Sequence, residues 1–449
     1  MRVNKRKVAA VGAALALTVA GAASVTGQPV SESQAMEKKR IRSQDDLQSR
    51  DRNAIDPATA PGRKIYADNC AACHEGRVPR APSPTFLTLL PGDAIVAALT
   101  TSVPEHADSQ RNWDYRYCWI RDAYYTVQAL NRLGALDVLE TYLEYLRNIV
   151  DNAKGGHIQP LYGVGGEARL VERVAPHLDG YRGMGPVRVG NQAYEQIQHD
   201  AYGQIILSNA QAFFDQRLYR MAGEEDFRAL ERVGELAWQV HDKPDAGLWE
   251  LRTKSHVHTY SVAMCWAACD RLANAARALT LPEREAFWRD RALQIRARIE
   301  SEAWREDTQR ISATFGGDDL DASLIQLLDL RFVSPDDPRF QGTLRAVEQG
   351  LRRGSHMLRY ATEDDFGLPH TAFNVCTFWL IEALWLTGRT EDARELFEEM
   401  LSRRTRAGLL SEDIDPVTGE LWGNYPQTYS LVGIINCAAL LSRPWNAVR

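Results

Sequence analysis

The chain has little surplus charge of either sign. Its 53 Lys and Arg face 59 Asp and Glu, a formal net charge of −6 over 449 residues. No basic tract follows the N-terminus, which leaves nucleic acid without its usual electrostatic footprint. Beyond the first residues no apolar run is long enough for a membrane span, so stable membrane insertion is not expected. Long alternation of apolar and polar residues is missing, which excludes an extended half-buried sheet. No motif repeats at a fixed period, which argues against a recent duplication. No methionine lies between Met36 and Met184. Cysteines number only seven, and Cys118, Cys265, Cys269, Cys376 and Cys437 stand singly or in apolar helical settings. Free cysteine behaves as a small hydrophobe, so these five should be buried.

What is present begins with an export pattern. Arg2, Lys5, Arg6 and Lys7 precede an Ala- and Gly-rich apolar run from Val8 to about Val25, and small residues at Ala20–Ser24 offer a cleavage site. Residues 1–27 therefore read as a signal peptide, and the mature protein as periplasmic or secreted. Residues 28–60 are polar, without apolar periodicity, and read as a flexible linker.

Residues 61–100 form a short further segment. Cys70-Ala71-Ala72-Cys73-His74 fits the C-x-x-C-H pattern of covalent c-type haem. In that reading Cys70 and Cys73 bind the haem and His74 takes the iron as axial ligand. Gly62–Asn69 before it resembles the first helix of small cytochrome c domains. The resemblance stops near Thr100, so the cytochrome is truncated. With no methionine in reach, the distal position would fall to water, to His106 or to nothing, and His106 reads better as a surface loop residue.

From about residue 95 to 449 helical periodicity dominates. The spacing predicts helices over 124–149, 202–219, 229–240, 262–279, 282–304, 320–330, 343–351, 371–386, 390–402 and 428–441. Gly223, Gly247, Gly316, Gly388 and Gly408 punctuate the series. The Gly-rich stretch 154–190 reads as a long loop that shapes a site. Eleven Trp and sixteen Tyr are a generous supply, and aromatic faces suit the C–H faces of sugars, although most serve core packing.

Four clusters carry the functional signal. Arg111–Asp122 packs aromatics and both charge signs just before a helix, a costly mixture unless a polar site satisfies it. Gly247-Leu248-Trp249-Glu250-Leu251-Arg252 sets a carboxyl beside an indole. Gly408–Asp415 is a loop rich in carboxylates, leading to Trp422–Ser430. Gln196–Gly203 is polar where a helix begins.

Together these clusters resemble glycoside hydrolase family 15, the glucoamylases, glucodextranases and bacterial trehalases, over about residues 94–445. The resemblance implies an all-α fold, an (α/α)6 toroid with its site in the loops at one end. It implies Glu250 as general acid and Glu412 as general base. Arg121 and Asp122 match the pair that holds the terminal glucose, Trp119 and Trp249 line that subsite, Arg252 follows the acid, and Arg359 contacts sugar. Asp321 belongs behind them. Bacterial members usually carry an N-terminal β-sandwich; here the export and haem segments stand in its place, so the first barrel helix is expected to be incomplete.

The resulting expectation is an exo-acting inverting α-glucosidase. It would release β-glucose from the non-reducing ends of α-glucans or oligosaccharides, or split α,α-trehalose, without any metal for the hydrolysis. Glu250, between Trp249 and Leu251, should be desolvated and protonated, while Glu412, beside Asp413 and Asp415, should be wetter and ionised. The alternative is a c-type haem electron-transfer protein, with a redox partner, whose helical domain binds sugar or is inactive.

Overall fold

The computed structural model describes residues 94–153 and 156–442. The export segment, the linker and the haem motif with Cys70, Cys73 and His74 lie outside the described residues, as does any helix preceding residue 94.

Among the described residues there are eleven α-helices. They are α1 Ile120–Arg132, α2 Leu136–Ala153, α3 Asp200–Ala210, α4 Glu224–Val240, α5 Thr259–Ala278, α6 Pro282–Glu302, α7 Gln326–Asp329, α8 Pro338–Leu351, α9 Asn374–Leu386, α10 Thr390–Ser402 and α11 Thr428–Leu441. A 3-10 turn at Ala322–Ile325 leads into the short α7.

Burial sorts the helices into two kinds. α5 is buried almost continuously from Thr259 to Cys269, and α9 from Asn374 to Ile381. A helix apolar on all sides must be surrounded. α2 buries one stripe, Leu139, Tyr142, Tyr145, Leu146 and Ile149, and α6 buries only Trp288, Ala292, Ile295 and Ile299. Those are helices with one wet face. The packing follows: α1, α3, α5, the 3-10 turn with α7, α9 and α11 pack in succession, and α11 returns to α1. This closes an inner ring. α2, α4, α6, α8 and α10 pack outside it. The architecture is the all-helical (α/α)6 toroid expected.

Local differences have simple causes. The periodicity over 124–149 belongs to two helices, not one. Gly134 sits at φ +81 between them, and Ala135 N–H bonds back to the Leu130 carbonyl, so the chain turns from inner to outer ring. The apolar pattern over 320–330 becomes the 3-10 turn plus α7, because Asp321 caps the turn by accepting from Ser323 N at 2.7 Å. The loop 154–190 holds two-residue strands, Leu161–Tyr162, Arg173–Val174 and Arg188–Val189. The five cysteines 118, 265, 269, 376 and 437 are buried and free, as expected. Among the described residues no helix is long and apolar enough to cross a membrane.

The inner helices share one direction. Ile120, Asp200, Asn374 and Thr428 begin their helices at one end of the barrel, while Arg132, Ala210, Ala278 and Asp329 end theirs at the other.

Candidate functional site

A small pocket of about 90 Å³ lies at the N-terminal ends of the inner helices. Trp119, Arg121, Asp122, Trp249, Glu250, Arg252, Arg359 and Glu412 all line it. Every residue expected from the sequence in this domain's site therefore meets in one place, apart from Asp321, which stands just behind.

The first wall is built on the short strand Cys118–Trp119 and the first turn of α1. Trp119 Nε1 donates to Glu250 Oε1 at 2.5 Å, and Arg121 Nη2 donates to the same oxygen at 3.1 Å. Arg121 is buried and also faces Gln198 Oε1 at 3.1 Å, Asp200 at 3.6 Å and Asp122 at 3.9 Å. One guanidinium thus balances three carboxylates. Burial pushes the Asp122 carboxyl up to about 6 despite Arg121, and it raises Asp200 as well.

Glu250 itself occupies the left-handed region, with φ +64. A non-glycine residue held there is uncommon and costs roughly 1–2 kcal/mol. Gln196 Nε2 fixes it by donating to the Glu250 carbonyl at 3.0 Å. Its neighbour Trp249 stands among Phe373, Trp379 and Tyr360, and donates from Nε1 to Asp321 Oδ2 at 2.7 Å. Asp321 is in turn pushed up to about 6 by burial.

The opposite wall is a three-stranded ladder of Ala372–Phe373, Asp413–Ile414 and Leu421–Trp422. It carries Glu412 at its edge. Gly423 makes this possible: it sits at φ +76, and a Cβ there would come within 2.7 Å of Glu412 Cβ. Tyr115 OH donates to Glu412 Oε1 at 2.7 Å, while Glu412 Oε2 has no partner. Glu105, Glu412 and Asp413 bring carboxylate oxygens within 4.8 Å of one another, all buried. Arg359 Nη2 binds Glu105 Oε2 at 2.6 Å and supplies the countercharge. With two guanidiniums near Glu105, Arg359 and, at 3.9 Å, Arg111, the cluster has its positive charge from the protein itself.

The burial of the two glutamates is the reverse of that expected. Glu250 has a side chain 21% exposed with two strong donors on it. Glu412 is fully buried, and burial followed by the Glu105 charge pushes its carboxyl up to about 8. The expectation looked at chain neighbours. Asp415, the supposed wet neighbour, instead caps its own turn through Val417 N and Thr418 N. Glu105 and Tyr115 come from about 300 residues away in sequence and are what set Glu412's environment.

The pocket mouth is an aromatic and ionic stack. Arg252 lies 4.5 Å over the Trp113 ring and 5.5 Å over Phe366, and Arg188 lies 4.8 Å over Trp113. Glu172, from the 154–190 loop, accepts from Arg252 Nη2 at 2.8 Å. Arg111 holds the facing loop through a bidentate bond to Asp364, both legs 2.6 Å. His106 packs edge-on against His370 at 4.9 Å.

Sequence reasoning missed Glu105, Tyr115, Asp364 and Phe366 as pocket residues, and Glu172 as the partner of Arg252. Tyr115 lay within a cluster already singled out. The others gave no local signal.

Fold and pocket together define an (α/α)6 barrel with paired glutamates in a small pocket ringed by arginines and indoles. Residues 91–439 match the Glycosyl hydrolases family 15, and the chain belongs to that family. It is 35% identical over 362 residues to a trehalase of Mycobacterium tuberculosis, covering 80% of this chain and 53% of that one. It is 33% identical over 358 residues to a trehalase of Thermoplasma volcanium, covering 78% and 56%. The chain thus spans just over half the length of these relatives. Among solved structures, a glycosidase superposes with a TM-score of 0.61 at 19% identity, over 78% of this chain and 92% of that one. A bacterial glucoamylase complexed with acarbose superposes with a TM-score of 0.59 at 17% identity, over 78% and 52%.

Proposed function

We propose that the chain is an inverting, exo-acting α-glucoside hydrolase, with α,α-trehalose as its substrate. The observation that carries this is the pocket with Glu250 on one wall and Glu412 on the other, and Arg121 with Asp122 at its foot. That relatives of the chain are trehalases supports trehalose over starch-like glucans in this reading.

In this reading Arg121 and Asp122 hold the hydroxyls of the terminal glucose. Glu250 gives a proton to the glycosidic oxygen as the bond to the anomeric carbon breaks. Oε1 is already occupied by Trp119 and Arg121, which leaves Oε2 for that proton. Glu412 takes a proton from water attacking the opposite face. Its unpartnered Oε2 is the acceptor, and Tyr115 fixes the other oxygen. The anomeric centre inverts. Assays of glucose release from trehalose, maltose and starch test the reading: trehalose should be cleaved fastest, and a preference for starch would refute the substrate assignment.

The base must be ionised to act, and Glu412 has its carboxyl raised to about 8 by burial and by Glu105. Activity should therefore increase as pH rises towards neutrality and beyond. Glu105→Gln removes the neighbouring charge and releases Arg359, so the acid limb of kcat/KM should move to lower pH. An unmoved limb would show that another group governs it.

Glu172 tethers Arg252 across the mouth. Glu172→Gln should raise KM for a disaccharide by about two- to five-fold with kcat nearly unchanged, the scale of a partly exposed ion pair. A drop in kcat alone would place Glu172 in the chemistry instead.

We further propose that Cys70 and Cys73 carry covalent haem with His74 on the iron, in an exported protein. Coexpression with a c-type maturation system should add one haem mass to a chain trimmed near residues 23–28. A haem-free chain with both thiols alkylatable would make the motif vestigial.

A further inference from the structure

Of the four clusters marked out in the sequence, Gln196–Gly203 has as yet no part in the chemistry. Its backbone is secured without its glutamine side chains. The Ile197 carbonyl accepts from Ala246 N–H at 2.9 Å, and His199 N–H donates to Asp245 Oδ2 at 2.8 Å. These bonds stitch the approach to α3 onto the loop 245–251, from which Glu250 projects.

The side chains of Gln196 and Gln198 form a hydrogen-bond relay instead. Arg121 Nη1 donates to Gln198 Oε1 at 3.1 Å, and Gln198 Nε2 donates to Gln196 Oε1 at 3.0 Å. Gln196 Nε2 then donates to the Glu250 carbonyl at 3.0 Å. The two ends set the polarity of the run. A guanidinium can only donate and a carbonyl can only accept, so each amide must turn its oxygen towards Arg121 and its nitrogen towards Glu250. Arg121 Nη2 meanwhile donates to the Glu250 carboxylate at 3.1 Å. One guanidinium thus reaches the same residue by two routes, at the side chain directly and at the backbone through two amides.

The backbone route meets a local need. Glu250 sits at φ +64, a conformation that persists only where the surroundings over-determine it. Its own turn supplies two bonds, Glu250 N to the Gly247 carbonyl at 3.2 Å and Leu251 N to the Ala246 carbonyl at 3.1 Å. Gln196 supplies the bond to the Glu250 carbonyl. Gln196 lines the pocket, whereas Gln198 is fully buried behind it and acts only through its neighbours.

We propose that Gln198 and Gln196 are positioning residues for the general acid. The relay holds the Glu250 backbone in its left-handed turn and ties that turn to the guanidinium that grips the terminal glucose. The inference rests on Glu250 as the acid. A displacement of about 1 Å at a reacting group can cost about 10²-fold in rate. Loss of the relay should therefore slow proton transfer to the leaving oxygen and spare the Glu412 wall opposite.

The test is leaving-group dependence. Gln198→Met keeps the side chain's length and removes both of its hydrogen bonds. Its kcat for trehalose should fall about 10- to 100-fold. Its kcat for α-glucosyl fluoride, whose leaving group hardly needs protonation, should change by less than about three-fold. A merely structural loss would slow both substrates alike, and fluoride turnover shows that the variant is folded. Gln198→Glu is a second variant of nearly the same shape. Ionised beside Arg121, it accepts as the amide does but has no proton for Gln196, so it should show the same split. Gln196→Met combined with Gln198→Met should be no slower on trehalose than Gln196→Met alone, because the two residues act in series. Equal losses on both substrates, an unchanged trehalose rate, or losses that multiply in the double variant would overturn the relay. Glu250→Gln is the control. If it shows the split and the Gln198 variants do not, this proposal alone falls; if it shows none, the general-acid role falls and the relay with it.

Discussion

Glu250→Gln should lower turnover of trehalose by about 10²–10⁴-fold, the usual scale for losing a general acid. The loss should shrink sharply with α-glucosyl fluoride, whose leaving group hardly needs protonation. Glu412→Gln should slow both substrates, because water must be activated in either case. The split between the substrates separates acid from base more cleanly than either rate alone. It also tests the two settings: Glu250, its side chain 21% exposed, is held by Trp119 and Arg121, and Glu412 is fully buried. If Glu412→Gln spared the fluoride and Glu250→Gln did not, the two roles would have to be exchanged.

The second large effect concerns Arg121. This buried guanidinium stands among Glu250, Asp200 and Asp122 at 3.1, 3.6 and 3.9 Å. Arg121→Met leaves buried carboxylates without countercharge, and breaking such a network costs about 3–5 kcal/mol. The cost should depend on pH with a definite sign. Asp122, already up to about 6, and Asp200, already raised, would rise further above their unfolded values. A carboxyl with a raised folded pKa binds a proton more tightly in the native state, so stability is lost as pH climbs through that pKa. The deficit should therefore be small near pH 4 and large at pH 7, read as the shift in denaturant midpoint. Arg121→Lys keeps the charge but loses the planar fork, and should recover much of the stability without restoring activity. A deficit independent of pH would show that lost packing, not charge, is what Arg121 contributes.

Much of this was legible in the chain. Helices over 390–402 and 428–441 fall where the periodicity put them, since each is an uninterrupted apolar pattern bounded by clear stops. The pocket residues were legible too, because Trp119, Arg121, Trp249, Glu250 and Glu412 lie in dense local clusters. The setting of each glutamate was not. Glu412 is buried by Tyr115 and Glu105, and Gly423 lets the chain pass close to it; those contacts form only when the barrel closes.

The inversion at the anomeric carbon can be seen directly by proton NMR on trehalose in the first moments of reaction, before mutarotation. Attack by water on one ring with inversion yields β-glucose, while the leaving ring keeps its α configuration. The account predicts α- and β-glucose in equal initial amounts. Only α-glucose at early times would mean retention, and would contradict a reaction in which Glu250 protonates the leaving oxygen while Glu412 directs water to the opposite face.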